Sequence, residues 1–220
     1  MSLFRTVFLT TRVVPLLLLC ALVLAFSARD ARAAGPLDSL ASIQKGIDGC
    51  DSDAVTRVLD IPAVVSAASD ALVDALQQQA ADGNLGDSNL AMVLAFAGVA
   101  KESGQAAMIN QLLVSEVRGF VVSGVNGGYF AGSPNGSIKP SRASLASALD
   151  KMPQGRRQII PGAVLSQENG RATVSGTFVD PKAGRLPLEL VMEEQGGVWR
   201  VVEIANARSL FQEAARKNRQ

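Results

Sequence analysis

The side chains of this chain that could take part in chemistry are carboxylates, lysines, serines and two cysteines, because its 220 residues include no histidine. Histidine is the commonest general base near neutral pH and a frequent zinc ligand. Its absence excludes the serine and cysteine triads that need an imidazole, and most zinc sites. No spacing in the sequence indicates a cofactor, and we expect none.

Ser42 and Lys45 have the Ser-x-x-Lys spacing of penicillin-recognising enzymes, in which one helical turn brings the lysine to the serine hydroxyl. The companion motifs Ser-Asp-Asn and Lys-Thr-Gly are absent from the sequence. We therefore interpret this spacing as a chance match.

Four aspartates, Asp48, Asp51, Asp53 and Asp60, crowd one short stretch of the chain. Calcium prefers several carboxylate oxygens, but a calcium-binding loop also needs a glycine at its turn and a closing glutamate, which this stretch lacks. Short acidic side chains are common caps of helix N-termini. The pattern predicts capping rather than a metal site.

Glu189, Glu193 and Glu203 are acids that the predicted strands carry. Glu189 and Glu193 alternate with a row of apolar residues, so they should face away from the core that this row forms. Acid–base catalysis by carboxylates would need two of these acids buried within reach of each other. A carboxylate-based enzyme is therefore the weaker hypothesis.

The first 33 residues have the pattern of an export signal. Two arginines and no acid precede an apolar run from residue 13 to residue 26, which is shorter than the about 20 residues that cross a bilayer. Ala31 and Ala33 are small residues at the positions that a signal peptidase requires. We predict cleavage after Ala33 and a mature protein that is periplasmic or secreted.

The two cysteines give no disulfide in the mature chain. Cys20 lies inside the apolar run and follows Leu19, where lipidation would need a small residue, so we interpret it as part of the signal. Cleavage leaves Cys50 alone. Because no histidine can activate it, we predict that Cys50 is a small buried apolar residue.

The charge of the mature chain gives no reason to expect nucleic acid as a partner. Removing the leader takes away four arginines and one aspartate, which leaves 17 basic and 19 acidic side chains among about 187 residues. Arg156 and Arg157 form an isolated basic pair that we expect to be solvated. This length suits one domain, and the apolar content of 48% excludes general disorder.

Helical spacing dominates the first half of the mature chain. Apolar residues recur every three or four positions, and aspartate, glycine or proline interrupts the pattern between one segment and the next. Residues 88 to 100 are apolar nearly all round and predict a buried or groove-lining helix. The helices are predicted at residues 37–47, 52–59, 61–81, 88–100, 106–122 and 142–151.

From residue 158 the apolar pattern repeats every two residues. Asn169-Gly170 and Gly196-Gly197 are strong signals for tight hairpins. The four strands are predicted at residues 159–167, 171–179, 185–194 and 198–205. We therefore predict the α+β class, with N-terminal helices packed on a four-stranded antiparallel meander sheet.

This pattern divides the chain into five segments. They are a signal peptide (1–33), the helical part of a single domain (34–122), a mobile glycine-rich loop (123–141), a short helix with the antiparallel sheet (142–208) and a frayed, basic helical tail (209–220).

Two segments carry a resemblance to a family. The stretch from Ile47 to Val64, with its aspartates and a step that ends in proline, and the stretch from Gly197 to Ile204 around Trp199 resemble bacterial exported proteins of unknown function. Leu59 stands where that family has valine or tyrosine. The layout is similar to nuclear-transport-factor-2-like, or cystatin-like, cone folds. The resemblance implies a cone-shaped sheet and carries over no catalytic residue.

A cone-shaped sheet can leave a cavity between its concave face and the helices, although an ordinary filled core is the expectation for such residues. The predicted lining of such a cavity is Leu94, Leu186, Leu188, Leu190, Met192 and Trp199. We expect a non-enzymatic module that binds an apolar small molecule or another envelope protein. Lipid carriage is the alternative, with residues 123–141 as the gate.

N-terminal sequencing of envelope material tests the processing prediction. The mature chain should begin at Ala34. Replacing Ala33 with leucine should block cleavage and leave the protein tethered by its apolar run, because the peptidase accepts only small side chains there. A mature chain that begins at a lipid-modified Cys20, or an uncleaved wild-type protein, would contradict the prediction.

Overall fold

The sheet forms where the sequence pattern changes to a period of two. The computed structural model describes residues 35–81, 106–135 and 145–218, which belong to one unit beginning at Gly35. The described strands are Gln158–Glu168 (β1), Arg171–Asp180 (β2), Gly184–Gln195 (β3) and Val198–Ile204 (β4). They pair antiparallel in the order β1-β2-β3-β4, so the predicted meander is confirmed.

The two predicted tight hairpins have the backbone that their residues favour. Asn169 and Gly170 have φ angles of 49° and 74°, and Gly196 and Gly197 have φ angles of 61° and 81°. Positive φ at both central residues matches the right-handed twist of the strands that a two-residue turn joins. These turns set the register of β1 with β2 and of β3 with β4.

The helices pack against one face of the sheet in the predicted α+β arrangement. Within the described ranges they are Pro36–Asp48 (α1), Ser52–Val58 (α2), Ile61–Ala81 (α3), Ala106–Asn126 (α4) and Ala207–Asn218 (α5), with a 3₁₀ helix at Leu145–Lys151. The helix predicted at residues 88–100 lies outside the described residues. The segment predicted as a frayed helical tail, 209–220, is helical to Asn218 within α5, as predicted, but it is packed on the domain, because Leu210 is buried in the core.

One apolar core joins the helices to a single face of the sheet. The alternating residues of β3 that point inward pack with β2, β4 and the helices. The largest fully buried side chains include Leu40, Val125, Val174, Leu186 and Met192. A smaller cluster of Ile61, Val65 and Leu113 joins α3 to α4.

The edge of β4 is covered by the chain between α2 and α3. Leu59 makes a parallel bridge to Val201, and the Asp60 amide donates a 3.0 Å hydrogen bond to the Val201 carbonyl. Arg200 also lies 3.3 Å from the Asp60 carboxylate. In the described part of the chain, no helix combines the length and the apolar character that crossing a membrane requires.

Candidate functional site

An apolar cavity of about 290 Å³ lies between the helices and the β1–β2 side of the sheet. The strands contribute residues at the start of β1 and the end of β2, whereas α1, α2 and α4 and the turn after α4 contribute most of the rest. The lining comprises Ile43, Ile47, Val55, Leu59, Phe120, Val121, Val125, Phe130, Met152, Arg157, Ile159, Phe178 and Asp180.

The cavity has a buried floor and a half-exposed rim. Ile43, Ile47, Val55 and Val125 are each at most 8% exposed. The rim residues are half-buried and include three phenylalanines, at positions 120, 130 and 178. Concave apolar surfaces with few polar groups are typical of sites for small molecules.

Phe130 occupies its place in the wall because Gly124 has no side chain. A Cβ atom at Gly124 would overlap the Phe130 ring. The Phe130 amide donates to the Gly124 carbonyl at 3.2 Å, which folds the turn after α4 back onto the helix. The Phe120 and Phe130 ring centroids are 5.5 Å apart with the rings tilted by 51°, a favourable geometry for an aromatic pair.

A buried ion pair forms the polar end of the cavity. The Arg157 Nε donates to Asp180 Oδ2 at 3.1 Å, and the two side chains are 5% and 17% exposed. Other guanidinium N–H groups donate to the carbonyl oxygens of Tyr129 (3.3 Å), Gly155 (3.4 Å) and Pro153 (3.1 Å). Asp180 Oδ1 accepts the amides of Lys182 and Ala183, each at 2.9 Å. Both charges are therefore paired and hydrogen-bonded.

A second cavity of about 220 Å³ shares Met152 and Arg157 with the first and is more polar. Its lining also includes Tyr129, Asp150 and Gln154. The Tyr129 hydroxyl donates to Asp150 Oδ1 at 2.7 Å. This hydrogen bond, together with burial and the negative charge of Asp150, raises the pKa of Tyr129.

The arrangement suits binding of an apolar group beside a polar one. Across the described ranges, no three histidine, cysteine, aspartate or glutamate side chains lie close enough to hold a metal ion. The charged residues that line the apolar cavity, Arg157 and Asp180, bind each other and backbone groups, and the rest of its lining is apolar.

Most of the residues predicted to line a cavity lie in the filled core. Leu186, Leu188, Leu190, Met192 and Trp199 are between 0% and 6% exposed and pack between the sheet and the helices. The apolar cavity is lined instead by residues of β1 and β2 and of the helices. Leu94 lies outside the described residues.

Two predictions about single residues are wrong. Cys50 was expected to be buried, but it is exposed, because the chain turns there with a φ of 53° between α1 and α2. Arg157 was expected to be solvated, yet it is 4% exposed. Its neighbour Arg156 is solvated as expected and lies 2.6 Å from the Asp48 carboxylate.

Capping is confirmed for two of the clustered aspartates. Asp51 Oδ1 accepts the Ala54 amide at 2.9 Å, and Asp60 Oδ1 accepts the Ala63 amide at 3.2 Å. The remaining members of the cluster, Asp48 and Asp53, lie in the last turn of α1 and the first turn of α2.

The serine of the Ser-x-x-Lys spacing makes a hydrogen bond within its own helix. The Ser42 hydroxyl donates to the Ser39 carbonyl of its own helix at 2.6 Å.

The strand acids face solvent. Glu189 is exposed, as predicted. Glu193 and Glu203 are 37% and 38% exposed, and both lie near Arg171, at 2.8 and 3.5 Å. These acids form an ion cluster on the outer face of the sheet, away from the cavity.

The start of the predicted glycine-rich loop is helical and packed. Helix α4 continues to Asn126, four residues into the segment predicted at 123–141. Gly127 and Gly128 are buried, and the Gly128 φ of 71° lets the chain turn. Residues 136–144 lie outside the described part.

Strand alternation could have predicted that Arg157 is buried. Consecutive residues near the start of a strand point to opposite faces, so Arg156 and Arg157 could not both face solvent if one side of the strand is covered. The aromatic wall gives no comparable signal, since Phe120, Phe130 and Phe178 are distant in the sequence.

Comparisons with known protein families, curated proteins and solved structures find no match for this chain. The family resemblance stays a prediction.

Replacing Arg157 with methionine should lower the free energy of unfolding by about 3–5 kcal/mol, because it leaves the Asp180 charge and three carbonyl groups without their partner. Urea unfolding followed by the fluorescence of Trp199, the single tryptophan of the chain, measures this change. The matched control is Arg156→Met, whose exposed ion pair predicts a much smaller loss. Equal losses in the two variants would contradict a structural role for the buried pair.

Absorbance at 295 nm during an alkaline titration reports Tyr129 alone, because the chain has one tyrosine. The Asp150→Asn variant should lower the pKa of Tyr129 toward its ordinary value of about 10, since it removes the negative acceptor. In the wild type, this hydrogen bond stabilises the folded protein at pH values below about 10, the ordinary pKa of tyrosine. The contribution is lost as the pH rises through the raised pKa. An unchanged titration curve in the variant would show that Asp150 is not the cause.

Proposed function

We propose that this chain is a non-enzymatic protein of the bacterial envelope, exported by its leader, that binds a small apolar molecule. The observation that carries the proposal is the apolar cavity with its buried floor and aromatic rim. Folded proteins close-pack their interiors, and a concave apolar surface of this size is the usual form of a ligand site.

The cavity volume limits the size of the ligand. An apolar cavity of about 150 Å³ holds one benzene molecule. A volume of about 290 Å³ therefore gives room for about a dozen non-hydrogen atoms. A bicyclic aromatic compound or a short alkyl chain meets this limit.

The alternatives have less support from the described residues. A membrane lipid with two long acyl chains needs more space than this cavity provides, which weakens lipid carriage. A carboxylate enzyme would need two acids free to act together, whereas Asp180 is held by Arg157 and two backbone amides, which leaves Asp150 as a single acid. Binding to another envelope protein is favoured by exposed apolar side chains such as Met108 and Leu165, which do not line the cavity.

A fluorescent bicyclic probe within this size limit, 1-naphthylamine, tests the proposal by titration into the protein. The Gly124→Ala variant should bind it about tenfold more weakly, because the added methyl displaces the Phe130 ring from the cavity wall. The matched control is Gly119→Ala on the same helix, where a Cβ meets no atom within 4 Å.

The control variant should keep wild-type affinity for the probe. Far-ultraviolet circular dichroism and Trp199 fluorescence should show that both variants are folded. Absence of probe binding to the wild type, or an equal affinity in all three proteins, would contradict a ligand site at this cavity.

A further inference from the structure

We infer that the ligand carries a hydrogen-bond-donating head group, an alcohol or an amine, that lies against Asp150 in the polar cavity. This inference rests on the proposed function, because it places the apolar part of the same molecule in the apolar cavity. The inferred head group is therefore not a carboxylate, although a carboxylate is the usual partner of an arginine in a binding site.

The two cavities are neighbours that share Met152 and Arg157 as lining residues. Met152 is half-buried and lies on both linings. A methionine side chain is unbranched and adapts readily to the shape of its surroundings. In the inferred arrangement, an elongated molecule has its apolar part beside Phe130 and extends past Met152 toward Tyr129 and Asp150.

Arg157 is a poor site for a carboxylate because most of its N–H groups already donate to acceptors within the protein. Of the five N–H groups of a guanidinium, four donate to Asp180 and to the carbonyls of Tyr129, Pro153 and Gly155. The charge of Arg157 is also neutralised by Asp180. A carboxylate ligand would have to displace one of these buried partners.

Asp150 is an acceptor with spare capacity. Its Oδ1 accepts the Tyr129 hydroxyl, and its Oδ2 has no partner among the described residues. The side chain lines the polar cavity and is exposed. The charged residues among the described linings of the two cavities are Arg157, Asp150 and Asp180, which sum to a charge of −1. Both the vacant lone pairs and this charge favour a donor, and an anion is disfavoured.

Three probes with eight carbon atoms each separate the head groups: 1-octanol, octylamine and octanoate. Each fits the size limit of the apolar cavity. Isothermal titration calorimetry should give the tightest binding for octylamine, and octanoate should bind at least about tenfold more weakly than octylamine. Octanol should lie between them, since it donates without a charge.

The Asp150→Asn variant should reduce the affinity for octylamine about tenfold and bring it close to the affinity for octanol, because the charged acceptor is lost. The matched control is Glu189→Gln, which makes the same change in net charge at an exposed position on the outer face of the sheet. That control should leave the affinity for octylamine unchanged. Bound octylamine should also lower the pKa of Tyr129 in the wild type, because a cation then lies beside the Tyr129–Asp150 pair.

The outcomes distinguish the two proposals. Octanoate binding as tightly as octylamine, or equal effects of Asp150→Asn and Glu189→Gln, would overturn the head-group inference and leave the apolar site standing. Absence of binding by all three probes, together with absence of binding by the naphthylamine probe, would overturn the proposed function itself.

Discussion

The buried ion pair between Arg157 and Asp180 is the interaction on which the candidate site depends. An isolated charge in a protein interior costs several kcal/mol, so a buried guanidinium persists only with complete partners. Those partners come from three separate places in the sequence: the turn after α4, the segment 153–155 and the end of β2. One side chain therefore holds together the pieces that carry Phe130, Met152 and Phe178. Arg157 thereby ties the turn that completes the aromatic wall to the sheet, while the Phe130 amide ties the same turn to α4.

The glycines of the turn after α4 make that geometry accessible. Gly124 leaves the space that the Phe130 ring fills, and Gly128 takes a φ of 71° that a side chain would strain. The Phe130 carbonyl in turn accepts the Arg157 amide at 2.8 Å. The glycines allow the turn that places the Tyr129 and Phe130 carbonyls, and Arg157 donates to both of them. The conformation of the turn and the position of Arg157 therefore depend on each other.

The sequence predicted the sheet well and the site poorly, for a physical reason. Strand boundaries follow from local signals: a period of two and tight turns such as Asn169-Gly170, whose conformational preference does not depend on the rest of the chain. The cavity depends on which distant segments meet. The inner residues of β3, considered as a possible lining, belong to the core, which is the ordinary expectation for such residues. The cavity lies instead where Ile159 and Phe178 pair at one end of β1 and β2. Exposure of Cys50 likewise depends on the direction of a single turn, which apolar pattern alone does not specify.

Polar bonds at the rim hold the two walls of the cavity at a fixed separation. The Gln44 amide of α1 donates to the Arg157 carbonyl at 3.4 Å and accepts the Ile159 amide at 2.7 Å, in the way that a neighbouring strand would. One turn further along α1, Asp48 pairs with Arg156, whose hydrogen bond lowers the pKa of that carboxyl. These bonds satisfy the open edge of β1 where it meets the helix, and they join the wall that carries Ile43 and Ile47 to the wall that carries Ile159. Because these bonds are directional, they fix the position of α1 relative to the start of β1. The border of the cavity is therefore set by polar bonds, whereas apolar side chains form its lining.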